Sequence, residues 1–189
     1  GSNLTFADTS TMTFTTSVMP FINEIILAGG QDQTITANGQ TLYHLTLNNT
    51  GTSGIDDIII SGTLDVNGNL TITNGDLDID TNDPAVNLAG NLSIGASGSV
   101  DAGSGTWTFD GSGSSSWSDS NATAQNLGAV QIDGSTKTIQ VTAGKTVAAT
   151  SLTVGANDVL DMTTASPVLK ITGTGTGASQ PFTVSGTFN

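Results

Sequence analysis

Leu64-Asp65-Val66-Asn67-Gly68-Asn69-Leu70-Thr71-Ile72-Thr73-Asn74-Gly75-Asp76-Leu77-Asp78-Ile79 sets the reading of the whole chain. It holds three apolar-polar-apolar triplets, separated by Asn-Gly. Period two puts Leu64 and Val66 on one face and Asp65 on the other, as in a strand half buried on a core. Asn-Gly marks a tight turn. The triplet recurs in both directions, as Leu4-Thr5-Phe6, Leu45-Thr46-Leu47, Leu92-Ser93-Ile94, Trp107-Thr108-Phe109 and Val130-Gln131-Ile132. Ile139-Gln140-Val141, Leu152-Thr153-Val154, Leu169-Lys170-Ile171 and Phe182-Thr183-Val184 continue it, and Asn38-Gly39, Asp110-Gly111 and Asp133-Gly134 supply further turns. No stretch has helical periodicity. Val147 to Leu152 comes nearest, and its Thr residues favour strand.

Three such triplets per coil give a coil of roughly twenty to twenty-five residues, the size of a parallel β-helix. Leu45, Leu70 and Leu92 are expected to share one inward column. Asn48, Asn74 and Asn91 fall near strand ends, where stacked amides hydrogen-bond from coil to coil. A coarser self-similarity, offset near 82 (Ile25 to Trp107, Leu70 to Leu152), relates two units at about 25–80 and 107–162. The expected fold is all-β, a right-handed parallel β-helix with a Val/Ile/Leu interior. The alternative is an antiparallel β-sandwich, which also has many short strands and regular turns. Strands this short make a poor sandwich sheet, which favours the solenoid.

Composition narrows the function. The 189 residues carry 16 acidic side chains against 3 Lys, with no Arg and one Glu, for a net charge of −13. Phosphate contacts need Lys and Arg, so nucleic acid is excluded as a partner, and anionic membranes attract such a chain no better. Absence of Cys excludes a disulfide scaffold and thiolate chemistry. The apolar runs are far too short for a membrane-spanning helix, and membrane insertion is not expected. A surface rich in Thr, Ser, Asn and Gly suits an extracellular or cell-surface location. Gly1-Ser2 reads as a remnant of cloning, and residues 3–189 as a single solenoid segment of a longer precursor.

Several runs resemble a known kind of protein. Gln40-Thr41-Leu42-Tyr43-His44-Leu45-Thr46-Leu47-Asn48-Asn49-Thr50-Gly51 is one, and Gly62-Thr63-Leu64 through Asn74-Gly75-Asp76-Leu77-Asp78 is another. Gly105-Thr106-Trp107-Thr108-Phe109-Asp110-Gly111 and Val184-Ser185-Gly186-Thr187-Phe188-Asn189 share the style. Together they resemble the Thr/Asn/Gly-rich β-solenoid repeats of large bacterial exported surface proteins, of the filamentous-haemagglutinin and autotransporter-passenger kind. The resemblance covers most of the chain and is largely compositional. It implies a solenoid scaffold with a stalk, sheath or adhesin role, and it transfers no catalytic residue.

Residues able to carry chemistry are few. Asp76, Asp78, Asp80 and Asp83 form the densest acidic cluster. Alternation with Leu77 and Ile79 places the first three on the outer face, about 7 Å apart along the strand. With help from a neighbouring coil they are the candidate ligands for Ca²⁺, although they lack the Gly and Glu of the twelve-residue calcium loop. The plainer expectation is a solvated acidic face. Asp56-Asp57 is a lesser cluster in a loop. His44, the only His, is expected to be a strand residue beside Tyr43. One His without Cys argues against Zn²⁺. No Ser stands on a nucleophile turn that would pair it with His44, and Gly111-Ser112-Gly113-Ser114 reads as a flexible loop.

β-Helical lyases of acidic polysaccharides lean on Arg or Lys, and here Lys137, Lys145 and Lys170 are scattered. Inverting hydrolysis needs only two carboxylates, but a sugar cleft also needs exposed aromatics, and Trp107, Phe109 and Trp117 are expected in or at the edge of the core. Thr5, Thr46, Thr71, Thr108, Thr153 and Thr183 point outward, as on ice-binding solenoids. Asp65, Asp78, Gln131, Gln140 and Lys170 interrupt any regular array. Sequons at Asn3, Asn48, Asn69, Asn91 and Asn121 arise easily in so Asn- and Thr-rich a chain. The expected function is therefore a non-enzymatic structural or adhesive segment needing no cofactor. It would self-associate through unpaired end strands, with copies of itself, neighbouring repeats, glycans or a host surface as partners. A glycan- or Ca²⁺-binding surface module is the alternative, followed by an ice-binding protein or a polysaccharide-active enzyme.

Overall fold

The structure, a computed structural model, describes residues 2–7, 10–14, 22–175 and 180–189; Gly1 lies outside them. The first turn holds β1 (Ser2–Phe6) and β2 (Thr11–Thr13), the second β3 (Ile22–Leu27), β4 (Gln33–Thr36) and β5 (Thr41–Leu42). Next come β6 (His44–Asn48), β7 (Asp57–Ser61) and β8 (Leu64–Val66), then β9 (Leu70–Asp78) with β10 (Val86–Leu88), and β11 (Leu92–Asp101) with β12 (Thr106–Phe109). β13 (Gly113–Asp119) and β14 (Ala129–Ile132) follow, then β15 (Lys137–Val141), β16 (Thr146–Ala149) and β17 (Ser151–Val154). The last are β18 (Val159–Asp161), β19 (Val168–Ile171), β20 (Phe182–Val184) and β21 (Thr187–Phe188). Each strand pairs with its counterpart one turn away, in parallel. The chain is thus a β-solenoid of about 7 turns. A sandwich of antiparallel strands is ruled out by the same pairings.

Parallel stacking in register turns the sequence triplets into columns. On one face Leu4, Ile25, Leu45, Leu70, Leu92, Trp117 and Val141 lie directly above one another. Opposite them run Leu64, Val86, Trp107, Val130, Leu152 and Phe182. Rungs are about 4.8 Å apart, so each inward side chain is sandwiched between two others. Burying a Leu or Ile in this way contributes about 2 kcal/mol. Trp107, Phe109 and Trp117 are all inside, and the Phe109 and Trp117 rings meet at 5.6 Å.

Four details depart from the sequence reading. β9 and β11 are nine and ten residues long, because each runs round a corner from one face to the next. Their pairing slips between Ile94 and Ser97. Gly98 sits inside that corner, where a Cβ would fall 2.5 Å from the Ile72 carbonyl oxygen. Second, the segment read as a flexible Gly/Ser loop is partly strand: Gly113 and Ser114 open β13 and pair with Lys137 and Thr138. Third, the Asn ladder divides. Asn74 Nδ2 donates to Asn48 Oδ1 at 2.7 Å, but Asn91 stacks on Asn69, whose Oδ1 accepts from the Asn91 amide at 3.0 Å. Asn91 precedes its inward Leu92 as Asn69 precedes Leu70, whereas Asn48 and Asn74 follow their triplets. Fourth, the offset near 82 is not a whole number of turns. Ile25 and Leu70 lie in the sheet that runs from β1 to β21, while Trp107 and Leu152 lie in the sheet from β5 to β20. The offset therefore carries one face onto another, and Ile25 stands four rungs from Trp117 in its own column.

Candidate functional site

The corner formed by β7, β9 and β11 gathers carboxylates from successive turns. Asp57 lies opposite Asp76, Asp76 opposite Ser99, and Asp78 opposite Asp101. One turn earlier, Asp32 Oδ1 accepts from the Asp57 amide at 3.3 Å. In-register stacking brings like charges to the rung spacing, and the carboxyls respond. Burial, then the charges of Asp101 and Asp57, push the Asp76 pKa up to about 6. Asp76 Oδ1 is buried without a hydrogen-bond partner. Burial, then Asp32 and Asp56, raise the pKa of Asp57. Asp101 is the main cause of a rise at Asp80.

Asp78 behaves oppositely, and its placement corrects the expected outer row of Asp76, Asp78 and Asp80. Its side chain is buried. Oδ1 accepts from the amides of Asp80 at 3.1 Å and Thr81 at 3.0 Å, and Oδ2 from Thr81 Oγ1 at 2.7 Å. Burial works to raise its pKa, but these hydrogen bonds outweigh it and hold the carboxyl below the usual Asp value. Asp80 is exposed. Asp83, at φ 47°, accepts through Oδ1 from the Ser104 amide of the next turn. The four candidate Ca²⁺ ligands thus stand in four different settings: Asp76 half-buried with one oxygen unpartnered, Asp78 buried and hydrogen-bonded, Asp80 exposed, and Asp83 bonded to the next turn. Among the described residues, no three or more His, Asp or Glu side chains are placed to hold one metal ion.

The other sequence candidates also find places. His44 accepts at Nδ1 from the Asn69 amide at 2.7 Å, and its ring lies 4.4 Å from that of Tyr43. That close approach requires Gly68, where a Cβ would fall 2.4 Å from Nδ1. The six outward Thr residues split between two sheets. Thr5, Thr46 and Thr71 share a column with Ile26, Ser93 and Ser118. Thr108, Thr153 and Thr183 share another with Asp65, Asn87 and Gln131.

Sequence reasoning missed a polar spine through the later turns. Lys137 is fully buried. Its Nζ donates to Ser115 Oγ at 2.8 Å and to the Ala89 carbonyl, two turns away in sequence. Burial lowers its pKa, against the opposing pull of Asp110. Asp158, also fully buried, takes the Lys137 amide at 2.7 Å and the Gly134 amide at 3.1 Å. Above this spine opens a groove of about 230 Å³, lined by Asn91, Ser114, Ser115, Ser116, Thr138, Gln140 and Asp161. Four of its members form a ladder: Ser116 Oγ donates to Asn91 Oδ1 at 3.1 Å, and Gln140, next to Ser116 in register, donates to Asp161 Oδ2 at 2.9 Å. The signal was present in the alternation: Lys137 is in phase with Ile139 and Val141, which puts it inside.

Neither family models, nor curated proteins, nor solved structures give a match to this chain.

Proposed function

We propose that the chain is a stiff, non-enzymatic segment of a secreted or cell-surface protein, serving as stalk, sheath or adhesin. The observation that carries the reading is the unbroken parallel stack from β1 to β21, one apolar core along its whole length. Strand stacking at about 4.8 Å per turn gives a rod whose outer columns mix Thr, Ser, Asn, Gln and Asp. Such columns provide hydration and a display surface. The coil is expected to be right-handed, following the strong preference of parallel crossovers. Antibodies against the chain should label intact source cells. Labelling only after permeabilisation would remove the surface reading, and turnover of a polysaccharide by the purified chain would remove the non-enzymatic one.

The groove at Asn91, Ser116, Gln140 and Asp161 favours a second reading, a module that binds a neutral glycan. Amide and hydroxyl groups fixed in a ladder suit sugar hydroxyls, and a single carboxylate adds one strong acceptor. Saturation-transfer NMR with neutral oligosaccharides should show contact that Gln140→Ala abolishes. No transfer at millimolar sugar would leave the structural reading alone.

A further inference from the structure

The groove over Asn91, Ser116, Gln140 and Asp161 is one part of a longer polar column. His44 precedes the inward Leu45 and Asn69 precedes Leu70, just as Asn91 precedes Leu92 and Ser116 precedes Trp117. With Gln140 and Asp161 these residues occupy six consecutive rungs. At about 4.8 Å per rung the column is about 24 Å long. Glu24 stands one rung before it, with Oε1 accepting from Thr46 and Oε2 from Asn3. Between Glu24 and Asp161 the column holds no Asp, Glu or Lys, in a chain of net charge −13.

Stacking along the column uses acceptors and leaves donors. His44 Nδ1 takes the Asn69 amide, which puts the ring proton on Nε2. Asn69 Oδ1 takes the Asn91 amide at 3.0 Å, and Asn91 Oδ1 the Ser116 amide at 2.8 Å. Among the described residues neither Asn69 Nδ2 nor Asn91 Nδ2 has a partner. A spare donor therefore recurs from rung to rung. The adjoining column supplies the aromatic that the groove lacks. It runs Tyr43, Gly68, Gly90 and Ser115, each one residue before its neighbour in the ladder. The Gly68 amide donates to the Tyr43 carbonyl at 2.5 Å, and a Cβ at Gly90 would collide with the Gly68 carbonyl oxygen. Two glycines in succession leave the strip beside Asn69 and Asn91 without side chains. Tyr43 bounds this strip, 52% exposed, its ring tilted 54° against that of His44.

We infer that this strip binds an extended, neutral, β-1,4-linked glycan lying along the rod axis, with one sugar on the Tyr43 ring and the following ones bonded to the ladder from Asn69 to Asp161. The inference rests on the neutral-glycan reading of the groove and deepens it by naming the polymer, its direction and its far subsite. Donors that repeat once per rung suit a ligand that itself repeats. A β-1,4-linked chain is straight and advances by a similar step per sugar, whereas an α-1,4-linked chain coils away from a straight column. The aromatic face takes the C–H face of a sugar and the amides take its hydroxyls. An anionic glycan is opposed by the charge of the chain.

Isothermal titration calorimetry with β-1,4-linked gluco-, manno- and xylo-oligosaccharides of four and six sugars tests it. Four sugars cover the groove, and six reach Asn69 and Tyr43. At least one series should bind, the hexasaccharide about tenfold tighter than the tetrasaccharide, as two more sugars add their hydrogen bonds. Tyr43→Ala should bring the hexasaccharide back to the tetrasaccharide's affinity and leave the tetrasaccharide unchanged, and Tyr43→Trp should restore the difference. Asn69→Asp keeps the acceptor for the Asn91 amide but loses the spare donor, and it should weaken the hexasaccharide alone. Circular dichroism melts of these variants should match wild type. A tetrasaccharide that binds and is lost on Gln140→Ala, yet is matched in affinity by its hexasaccharide, would overturn the extended strip and leave the groove reading standing. No binding in any series would overturn both. Equal binding of maltohexaose or of a galacturonic acid hexamer would overturn the straight, neutral polymer.

Discussion

Asp76 and Asp119 both belong to strands of the same sheet, and they solve the same difficulty in opposite ways. Asp119 is the more buried, at 2% exposure. It occupies the inward position that Ile94 fills one turn earlier. Yet its carboxylate is fully engaged: Oδ1 accepts from the Asn121 amide at 2.8 Å and Asn121 Nδ2 at 3.0 Å, and Oδ2 from the Gln125 amide at 2.6 Å. Asn121 Nδ2 also donates to the Gly95 and Gly98 carbonyls, which ties the loop back to the previous turn. Asp76 is less buried and worse served, with one oxygen unpartnered and two like charges beside it. In a stacked solenoid a carboxylate is stabilised by a loop that folds over it, and destabilised by another carboxylate on the next rung.

The largest effect should come from breaking the satisfied member. Asp119→Ala strands the Asn121 and Gln125 amides in a buried loop. It should cost about 3 kcal/mol, since removing a charged acceptor leaves its donors with the full desolvation penalty. A shift of the urea midpoint measures this. Asp76→Ala in the same assay should be near neutral at pH 7. If the two cost the same, the contrast between them is wrong.

Lys137 gives a slightly smaller test. Lys137→Met keeps the buried stem and removes the ammonium, leaving Ser115 Oγ without its donor while the Ser115 hydroxyl still donates to the Ala89 carbonyl at 3.2 Å. The expected loss is about 2 kcal/mol, because apolar replacement offsets part of the desolvation of a buried charge. The sign is the sharper point: a stabilised variant would mean that the spine strains the core.

The acidic corner makes a pH prediction. A carboxyl whose folded pKa is raised binds protons more tightly folded than unfolded, so its contribution is fully present below the unfolded value of 3.8 and is lost as pH rises through about 6. Asp57 and Asp80 shift in the same direction. Asp78, with a lowered pKa, contributes above 3.8 and loses that contribution only in stronger acid. Stability should therefore rise on acidification from pH 7 toward pH 4–5 and fall below it. The full shift at Asp76 corresponds to about 3 kcal/mol, which solvent screening of a partly exposed group cuts to about 1 kcal/mol. Asp76→Asn should raise stability at pH 7 and flatten the profile. A wild-type profile falling steadily from pH 7 to pH 4 would contradict the stacked-charge account.

What the sequence made legible follows from how local each feature is. The triplets Leu45-Thr46-Leu47, Leu70-Thr71-Ile72 and Leu92-Ser93-Ile94 needed only period two and a coil length to be stacked, and their register came out as read. The offset of 82 misled because all faces of a solenoid use the same triplet, so pattern similarity does not distinguish one face from another. The Asp76–Asp83 cluster was visible as charge, but not the turn at Asp80 and Thr81 that folds Asp78 inward. Nor was it evident that Asp57 and Asp101, far away in sequence, would flank Asp76. Lys137 was missed because a single Lys in an otherwise apolar alternation is read as an interruption of the core rather than as part of it.

The Asn ladder offers the finest test, because it asks whether register alone decides who pairs. Asn74→Ala removes one amide bond to Asn48 at a partly buried strand end and should cost about 0.5–1 kcal/mol, the net value of a neutral hydrogen bond. Asn48→Ala should cost the same, and the double variant no more than either alone, since both remove the same bond. Asn91→Ala should add fully to either, because Asn91 belongs to the ladder of Asn69 and Ser116. Coupling between Asn91 and Asn74 in a double-mutant cycle would place all three in one column, as their spacing along the sequence first suggests, and would mean that β9 and β11 pair in a different register at this corner.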